Sequence, residues 1–561
     1  MKKYLTLISL FIFALLLIGC NTHEHYYEKQ YVDPTCIEPG TIIYTCECND
    51  SYTETVSEPL GHLYGEWEIT KKPTINIEGS KEQKCSRCNN INTEQIEKRE
   101  YPDLGGYTIE IAVASDKLSY YDPFYYYYNY ADKEAKQKAM REVENDFNCL
   151  IKYVEYPESA EWGPKRWNYL IENINNKTIE YDFCEVPHSI IADFVKNDAI
   201  LNLNEYYNKY SQNLMNNVQL LSGTYKNDLY TISDVRKHDM MIMIYDLVLF
   251  NQLRDVDPTL KEPAEIYLEE NWTTDVFLKY CEQIQNAMEK LYGDKGKKGS
   301  ESQEYYVFSG WPTYLWEGLA SGSNEPLLDI NNMSVNYATE NKINSINLVK
   351  ELYDNNYIDP KFAFTGSSEC FNNKKALFEC GELFDYTLTY DKIYGYKLTD
   401  LGFVLFPREK DLEFSNVKIP LWNSRYFIMI NQDDYSNYGN ECKSEYIYWA
   451  YSEFIKRTKA YTENKEWDIF SSSLEITDIC CDSEASKAMY KYLCDKINNN
   501  EIYYEPILDY DYKNTLFSSL LDFSTSQSMN TYLKYPKGKT WQQLTIGVVD
   551  DLEKRLKKNY D

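Results

Sequence analysis

Between residues 107 and 204 the apolar positions switch between two rhythms. Residues 107–114 (Tyr-Thr-Ile-Glu-Ile-Ala-Val-Ala), 149–155 (Cys-Leu-Ile-Lys-Tyr-Val-Glu) and 179–186 (Ile-Glu-Tyr-Asp-Phe-Cys-Glu-Val) are short runs rich in β-branched and aromatic side chains, and they read as strands. Residues 133–147, 166–175 and 189–196 set Ala, Met, Leu, Ile and Val among polar groups and read as helices. Residues 200–204 (Ile-Leu-Asn-Leu-Asn) read as the strand that closes this stretch. Strands alternating with helices predict an α/β domain whose mainly parallel sheet is covered on both faces.

Upstream of residue 107 the pattern is different and repetitive. Residues 34–40 read Pro-Thr-Cys-Ile-Glu-Pro-Gly and residues 73–79 read Pro-Thr-Ile-Asn-Ile-Glu-Gly, an offset of 39. The distance from Gly40 to Cys46 equals that from Gly79 to Cys85. Several fixed spacings shared at one offset mark an internal repeat. Each copy is expected to hold two short strands about a Gly turn and to end in a Cys knuckle, giving a small β-rich module. Residues 94–104 are charged and contain Pro102, and Gly105-Gly106 comes next, which places the boundary there. The expected organisation is a leader over 1–20, the repeats and a linker over 21–104, and the large α/β domain over 105–561.

The leader has its own signature. Met1-Lys2-Lys3 precedes an apolar run over 4–18 that is too short for a comfortable membrane span of ~20 residues. It ends in Leu17-Ile18-Gly19-Cys20, which resembles the bacterial lipobox. That resemblance implies cleavage before Cys20 and acylation of its sulfur, hence a lipoprotein held on the extracellular face of the cell membrane. Two or more acyl chains give stable anchoring where one gives marginal binding.

Export makes disulfides possible. Cys46-Glu-Cys48 and Cys85-Ser-Arg-Cys88 could together supply four thiolates to one tetrahedral zinc, the staple a small module needs, or they could pair as disulfides or remain thiols. Cys36 is replaced by Ile75 in the second copy, a departure that speaks against a complete metal site. His62 reads as a turn residue or a ligand. No other cofactor is expected. The repeats resemble small Cys-containing repeats on surface proteins of low-GC Gram-positive bacteria, which implies little chemistry.

Composition narrows the function. With 88 acidic and 58 basic side chains the formal charge is −30, which repels phosphate backbones and argues against nucleic acid. At 43% hydrophobic and 16% aromatic the chain can fill cores. Its 55 tyrosines suit half-wet clefts, although a biased genome would also produce them.

The order of segments in the large domain resembles the solute-binding proteins of bacterial ABC importers, of the maltose-binding type. It is carried by Tyr181-Asp182 with residues 199–207, by 229–234 with 243–251, by Asn271-Trp272-Thr273-Thr274-Asp275 with Phe277, and by 371–378, 401–407 and 449–455. The resemblance implies a two-lobed periplasmic-binding-protein-like fold of type II, crossings between lobes near 240–245 and 403–407, and a ligand held in the cleft. It also implies a small solute, a sugar first of all, an ABC permease as partner and a monomeric receptor.

Sugars present C–H faces to aromatic rings and hydroxyls to carboxylates, amides and Arg. Trp311, Tyr314 and Trp316 stand where the family carries a stacking aromatic, with packing in the lobe core an equal alternative for Trp316. Trp422 and Arg425 come after the later crossover. Asp234 and Arg236 precede the first, as cleft residues or as a surface ion pair. The aromatic run 120–130 comes after the first strand, as a stacking loop or an outward one.

Catalysis finds little support. The chain has five His, and the two in the large domain, His188 and His238, lack any zinc-protease or nucleophile-elbow context. A surface adhesin or polysaccharide-binding protein outside transport is the alternative reading, and a glycoside-active enzyme a weaker one.

Overall fold

The computed structural model describes the chain apart from residues 1–23, 115–116, 129–131, 161–162, 177, 188–190, 216, 234–240, 311, 361–368, 383–397, 422–424, 432–440, 463–482, 505–531, 533–539 and 561. It separates into two compact units, Met1–Pro102 and Asp103–Asp561.

The first unit holds two three-stranded antiparallel sheets built alike. Strands β1 (Tyr27–Val32), β2 (Gly40–Cys46) and β3 (Ser51–Ser57) form one, and β4 (Glu68–Lys71), β5 (Gly79–Lys84) and β6 (Ile91–Ile96) form the other. Each repeat thus has three strands where its sequence predicts two. The third, Ser-Tyr-Thr-Glu-Thr-Val-Ser in the first copy, is exposed throughout and is held by backbone pairing such as Tyr44 opposite Tyr52, so it carries no apolar stripe to announce it. The repeated Gly does not sit in a turn. It opens the middle strand, where the chain passes close to the repeated Pro: a Cβ on Gly79 would lie 2.6 Å from the Lys71 carbonyl oxygen and 2.7 Å from Pro73.

The second unit is α/β. Its strands are β7 (Tyr107–Val113), β8 (Cys149–Glu155), β9 (Phe183–Pro187), β10 (Thr231–Ile232), β11 (Met241–Asp246), β12 (Tyr306–Ser309), β13 (Ala376–Glu382), β14 (Leu401–Val404), β15 (Ile419–Leu421), β16 (Arg425–Met429) and β17 (Ile502–Tyr504). The helices that matter most are α1 (Lys133–Phe147), α2 (Gly163–Asn175), α3 (Leu247–Val256), α4 (Thr274–Tyr292), α5 (Pro312–Ser321), α6 (Glu340–Asp354), α7 (Ser444–Tyr461), α8 (Glu484–Asn498) and α9 (Trp541–Tyr560).

Two sheets hold nine of these strands and define the lobes, while β15 and β17 pair in parallel with each other. The first runs β10-β16-β9-β7-β8, with β7 parallel to both β8 and β9 and with β16 antiparallel to β9. The second runs β12-β13-β11-β14, with β12 and β13 parallel and β11 antiparallel to β13 and β14. The strands of the second sheet are buried on both faces, as the all-buried run Met241–Asp246 shows, because helices cover them on each side. In α4 the side chains of Phe277, Cys281, Ile284 and Met288 fall at three- and four-residue spacing and enter that core.

The described elements require three passages between lobes: between Ile232 and Met241, between Leu421 and Arg425, and between Tyr461 and Glu484. The crossing expected near 403–407 therefore lies later, because β14 pairs with β11 inside the second lobe. Residues 200–204 form no strand. Ile200 makes a single bridge to Ile430, and the chain turns into helix from Asn204. Among the described residues no helix is long and apolar enough to cross a membrane.

Candidate functional site

In open α/β sheets ligands bind beyond the carboxyl ends of the parallel strands. In the first lobe Val113 and Glu155 pair at those ends, and β9 finishes beside them at Pro187. The register of β16 sets Arg425 opposite Pro187, so its backbone stands at the same edge. β10 ends nearby, with Ile232 opposite Phe427. In the second lobe the corresponding edge is where β12 and β13 pair Ser309 with Glu379. There Gly310 takes a φ of 111°, a conformation that favours glycine, and the chain enters α5 at Pro312.

At the first edge Glu185 is the central group. Its buried carboxylate accepts hydrogen bonds from the Ala114 amide at 3.1 Å and the Tyr121 hydroxyl at 3.2 Å. Tyr121 is fixed in turn by a stacked Tyr153, ring centroids 6.1 Å apart, and by an edge-on Phe427 at 5.1 Å. Tyr156 donates its hydroxyl to the Glu185 carbonyl at 2.9 Å, and burial pushes that hydroxyl well above its ordinary pKa. The Arg166 guanidinium lies over the Tyr156 ring, 5.1 Å from its centroid. Glu185, Tyr121 and Tyr156 are buried and bonded to one another, so they brace the end of the sheet from within, and the half-buried Arg166 lies over Tyr156. At the second edge Ser309, Glu379 and Glu317 are buried and Tyr314 is half-buried.

The residues expected from sequence fare differently. Trp311, Trp422, Asp234 and Arg236 lie outside the described residues. Arg425 reaches the carboxyl edge through its strand register. Tyr314 stands in the first turn of α5 and packs partly against the core.

Trp316 belongs to the core, which corrects its reading as a stacking ring. It is 0% exposed, tilted against Tyr337 at 5.7 Å and edge-on to Trp541 at 5.4 Å, and its indole N–H donates to the Lys342 carbonyl at 3.4 Å. The reason is helical phase: Leu315, Trp316, Leu319 and Ala320 share the inward face of α5. The aromatic run also splits. Tyr120, Tyr121 and Tyr128 are buried, while Phe124, Tyr126 and Tyr127 are exposed.

Glu185 escapes the sequence reading, although a signal exists. An acid inside Phe-Cys-Glu-Val, in a strand covered on both faces, needs a partner or a task. An open groove of about 630 Å³ lies elsewhere, between α1 and α7, lined by Arg141, Glu142, Asn145, Asp146, Arg457, Ala460 and Tyr461. Its Arg457 is committed to Asp146 at 2.8 Å and Glu453 at 3.1 Å, and it stands apart from both carboxyl edges, so we do not read it as the solute site.

The cysteines of the first unit regroup. Cys85 and Cys88 meet Cys36 and His62, with all four ligand atoms within 4.8 Å of one another, while Cys46 and Cys48 meet His25. The expected set Cys46, Cys48, Cys85 and Cys88 is thereby corrected, because each knuckle folds back on the His that precedes its own sheet. Burial raises the Cys85 thiol, but the backbone amide of Arg87 and the His62 ring outweigh it and bring it down to about 6.

No family model matches the sequence, and no curated protein does. Solved structures do match in fold. The GacH receptor of Streptomyces glaucescens, described unliganded and in complex with acarbose, aligns with a TM-score of 0.52 at 14% identity over 81% of this chain and 99% of its own. An ABC substrate-binding protein of Listeria monocytogenes in complex with cycloalternan aligns at 0.52 and 9% identity, over 80% of this chain and 98% of its own. The sugar-binding protein MalE of Xanthomonas citri aligns at 0.51 and 10% identity, with the same coverage of 80% and 98%. The chain therefore has the two-lobed fold of periplasmic sugar-binding proteins, and at these identities the likeness is one of fold.

Proposed function

We propose that this chain is a lipid-anchored extracellular receptor that captures a carbohydrate between its lobes and delivers it to an ABC permease. The observation that carries the reading is the two-lobed fold, in which the parallel strands of each sheet end at a carboxyl edge, near Val113, Glu155 and Pro187 in one lobe and near Ser309 in the other. In open α/β sheets a ligand binds beyond such ends, which puts a captured solute between the lobes. The solved proteins of this fold support a sugar, since two of those above are described with saccharide-type ligands. Leu17-Ile18-Gly19-Cys20 supports the anchor. Lobe closure would come from contacts made only in the closed form.

A thermal-shift panel of mono- and oligosaccharides on the chain from residue 21 tests the reading. A bound sugar at 100 times its Kd adds roughly 2.7 kcal/mol, and X-ray scattering should show the chain contract. If no sugar shifts the transition, or if the sugar is consumed, the receptor reading fails.

A further inference from the structure

We propose that the first unit holds a zinc ion at the junction of its two repeats, bound by Cys36, His62, Cys85 and Cys88. The spacing is that of a metal site. Cys36 Sγ lies 3.7 Å from Cys85 Sγ, and Cys88 Sγ lies 3.3 Å from His62 Nδ1. Ligands at 2.3 Å for sulfur and 2.0–2.1 Å for nitrogen, set tetrahedrally, would be separated by about 3.8 Å and about 3.6 Å. A disulfide would bring two sulfurs to ~2.05 Å. Three thiolates and one imidazole form a structural zinc set, and the thiol protons leave to solvent as the ion enters.

The loops that carry these ligands are tied together without any ion. The Leu60 amide donates to the Thr35 carbonyl at 2.9 Å, which holds the Cys36 loop against the segment leading to His62. Arg87, inside the second knuckle, donates to the Leu60 carbonyl at 2.6 Å, and Ser86 donates its amide to the Leu63 carbonyl at 2.9 Å. The Arg87 amide also points at Cys85 Sγ, at 3.4 Å. Cys36 and Cys85 are buried.

Repetition supplies an independent observation. The first repeat reproduces the second's geometry: Cys48 Sγ is 3.3 Å from His25 Nδ1, Tyr27 stacks on His25 as Tyr64 lies against His62, and Tyr27 bonds Asp50 as Tyr64 bonds Asn90. The rule is that a repeat supplies its own His and knuckle, and the repeat before it supplies the remaining Cys. That rule explains Ile75. It occupies the place of Cys36, and Tyr101 occupies the place of His62, as the bond from the Arg99 amide to the Thr74 carbonyl at 3.1 Å confirms by matching that of Leu60 to Thr35. Both positions that would serve a next junction are changed together, and from there the chain passes into the strand at Tyr107 with no third repeat. His25, Cys46 and Cys48 offer three ligands among the described residues and are more open, so an ion there should exchange faster.

The test uses the full chain, purified with reductant, loaded with Zn²⁺ and passed over a mild chelator. One zinc per chain should be retained. Cys36→Ser and His62→Ala should each lose it, Cys48→Ser should keep it, and His62→Cys should restore it. Co²⁺ in place of zinc should give the intense visible bands of a tetrahedral sulfur-rich site, absent in Cys36→Ser. Retained zinc in both Cys36→Ser and His62→Ala, loss in Cys48→Ser equal to that in Cys36→Ser, or a Cys36–Cys85 disulfide in the wild-type chain by mass spectrometry would each overturn the assignment.

Discussion

Trp316→Ala separates a core ring from a ligand-stacking one. The indole is wholly buried between Tyr337 and Trp541, and its N–H is bonded to the Lys342 carbonyl. Lys342 is itself buried, and its ammonium donates to the Ala320 carbonyl in the last turn of α5, to Ser323 Oγ at 2.9 Å and to the Glu325 carbonyl at 2.6 Å, so the ring props a residue that ties down the end of that helix. Removing roughly 200 Å² of buried indole costs ~5 kcal/mol by area. Measured core truncations of Phe or Trp span about 3–5 kcal/mol, according to how far neighbours collapse. Trp316→Ala should therefore lower second-lobe stability by about 3–5 kcal/mol in urea melts, and Trp316→Phe by roughly half as much. Calorimetry on the folded fraction in the cold should give a sugar Kd within about twofold of the parent. Near-parent stability with a tenfold or greater loss of affinity would refute the packing argument and return Trp316 to the cleft.

Glu185→Ala should destabilise the first lobe by roughly 2–4 kcal/mol, because it removes a buried acceptor of the Tyr121 hydroxyl and the Ala114 amide, with Glu185→Gln milder; equal urea midpoints for parent and Ala variant would count against it. Burial raises the carboxyl of Glu445, yet hydrogen bonds from Lys209 at 2.5 Å, Lys443 and Tyr210 at 2.6 Å hold it down at about 2. Its folded pKa lies below the ordinary 4.5, so its stabilisation is complete above about pH 4.5 and is lost as pH falls toward 2. Glu445→Gln should accordingly flatten the acid limb of a stability–pH curve, and an unchanged limb would remove the pair from the account. Cys20→Ala should release the chain from membranes or leave its leader uncleaved, as fractionation and the mass of the product would show; a processed variant that still needs detergent would contradict the anchor.

Features that depend on near neighbours along the chain were legible before any fold was known. Period-two and helical runs located β7, β8 and α1 because a side chain's face is set by its own backbone. The offset of 39 exposed the repeat, and the order of segments pointed to two lobes. The sequence left Trp316 between core and cleft, since an apolar helix face suits either, and only packing against Tyr337 and Trp541 settles it in the core. Nor could it bring Arg425 beside Pro187, a matter of register between strands more than 230 residues apart in sequence. The metal ligands make the same point. Their like motifs group the knuckles with each other, whereas the fold joins Cys85 and Cys88 to a His 23 residues upstream of the first and to a Cys in the loop between β1 and β2. A tetrahedral set needs four directions around one point, and a chain supplies those only by returning to that point from separate loops.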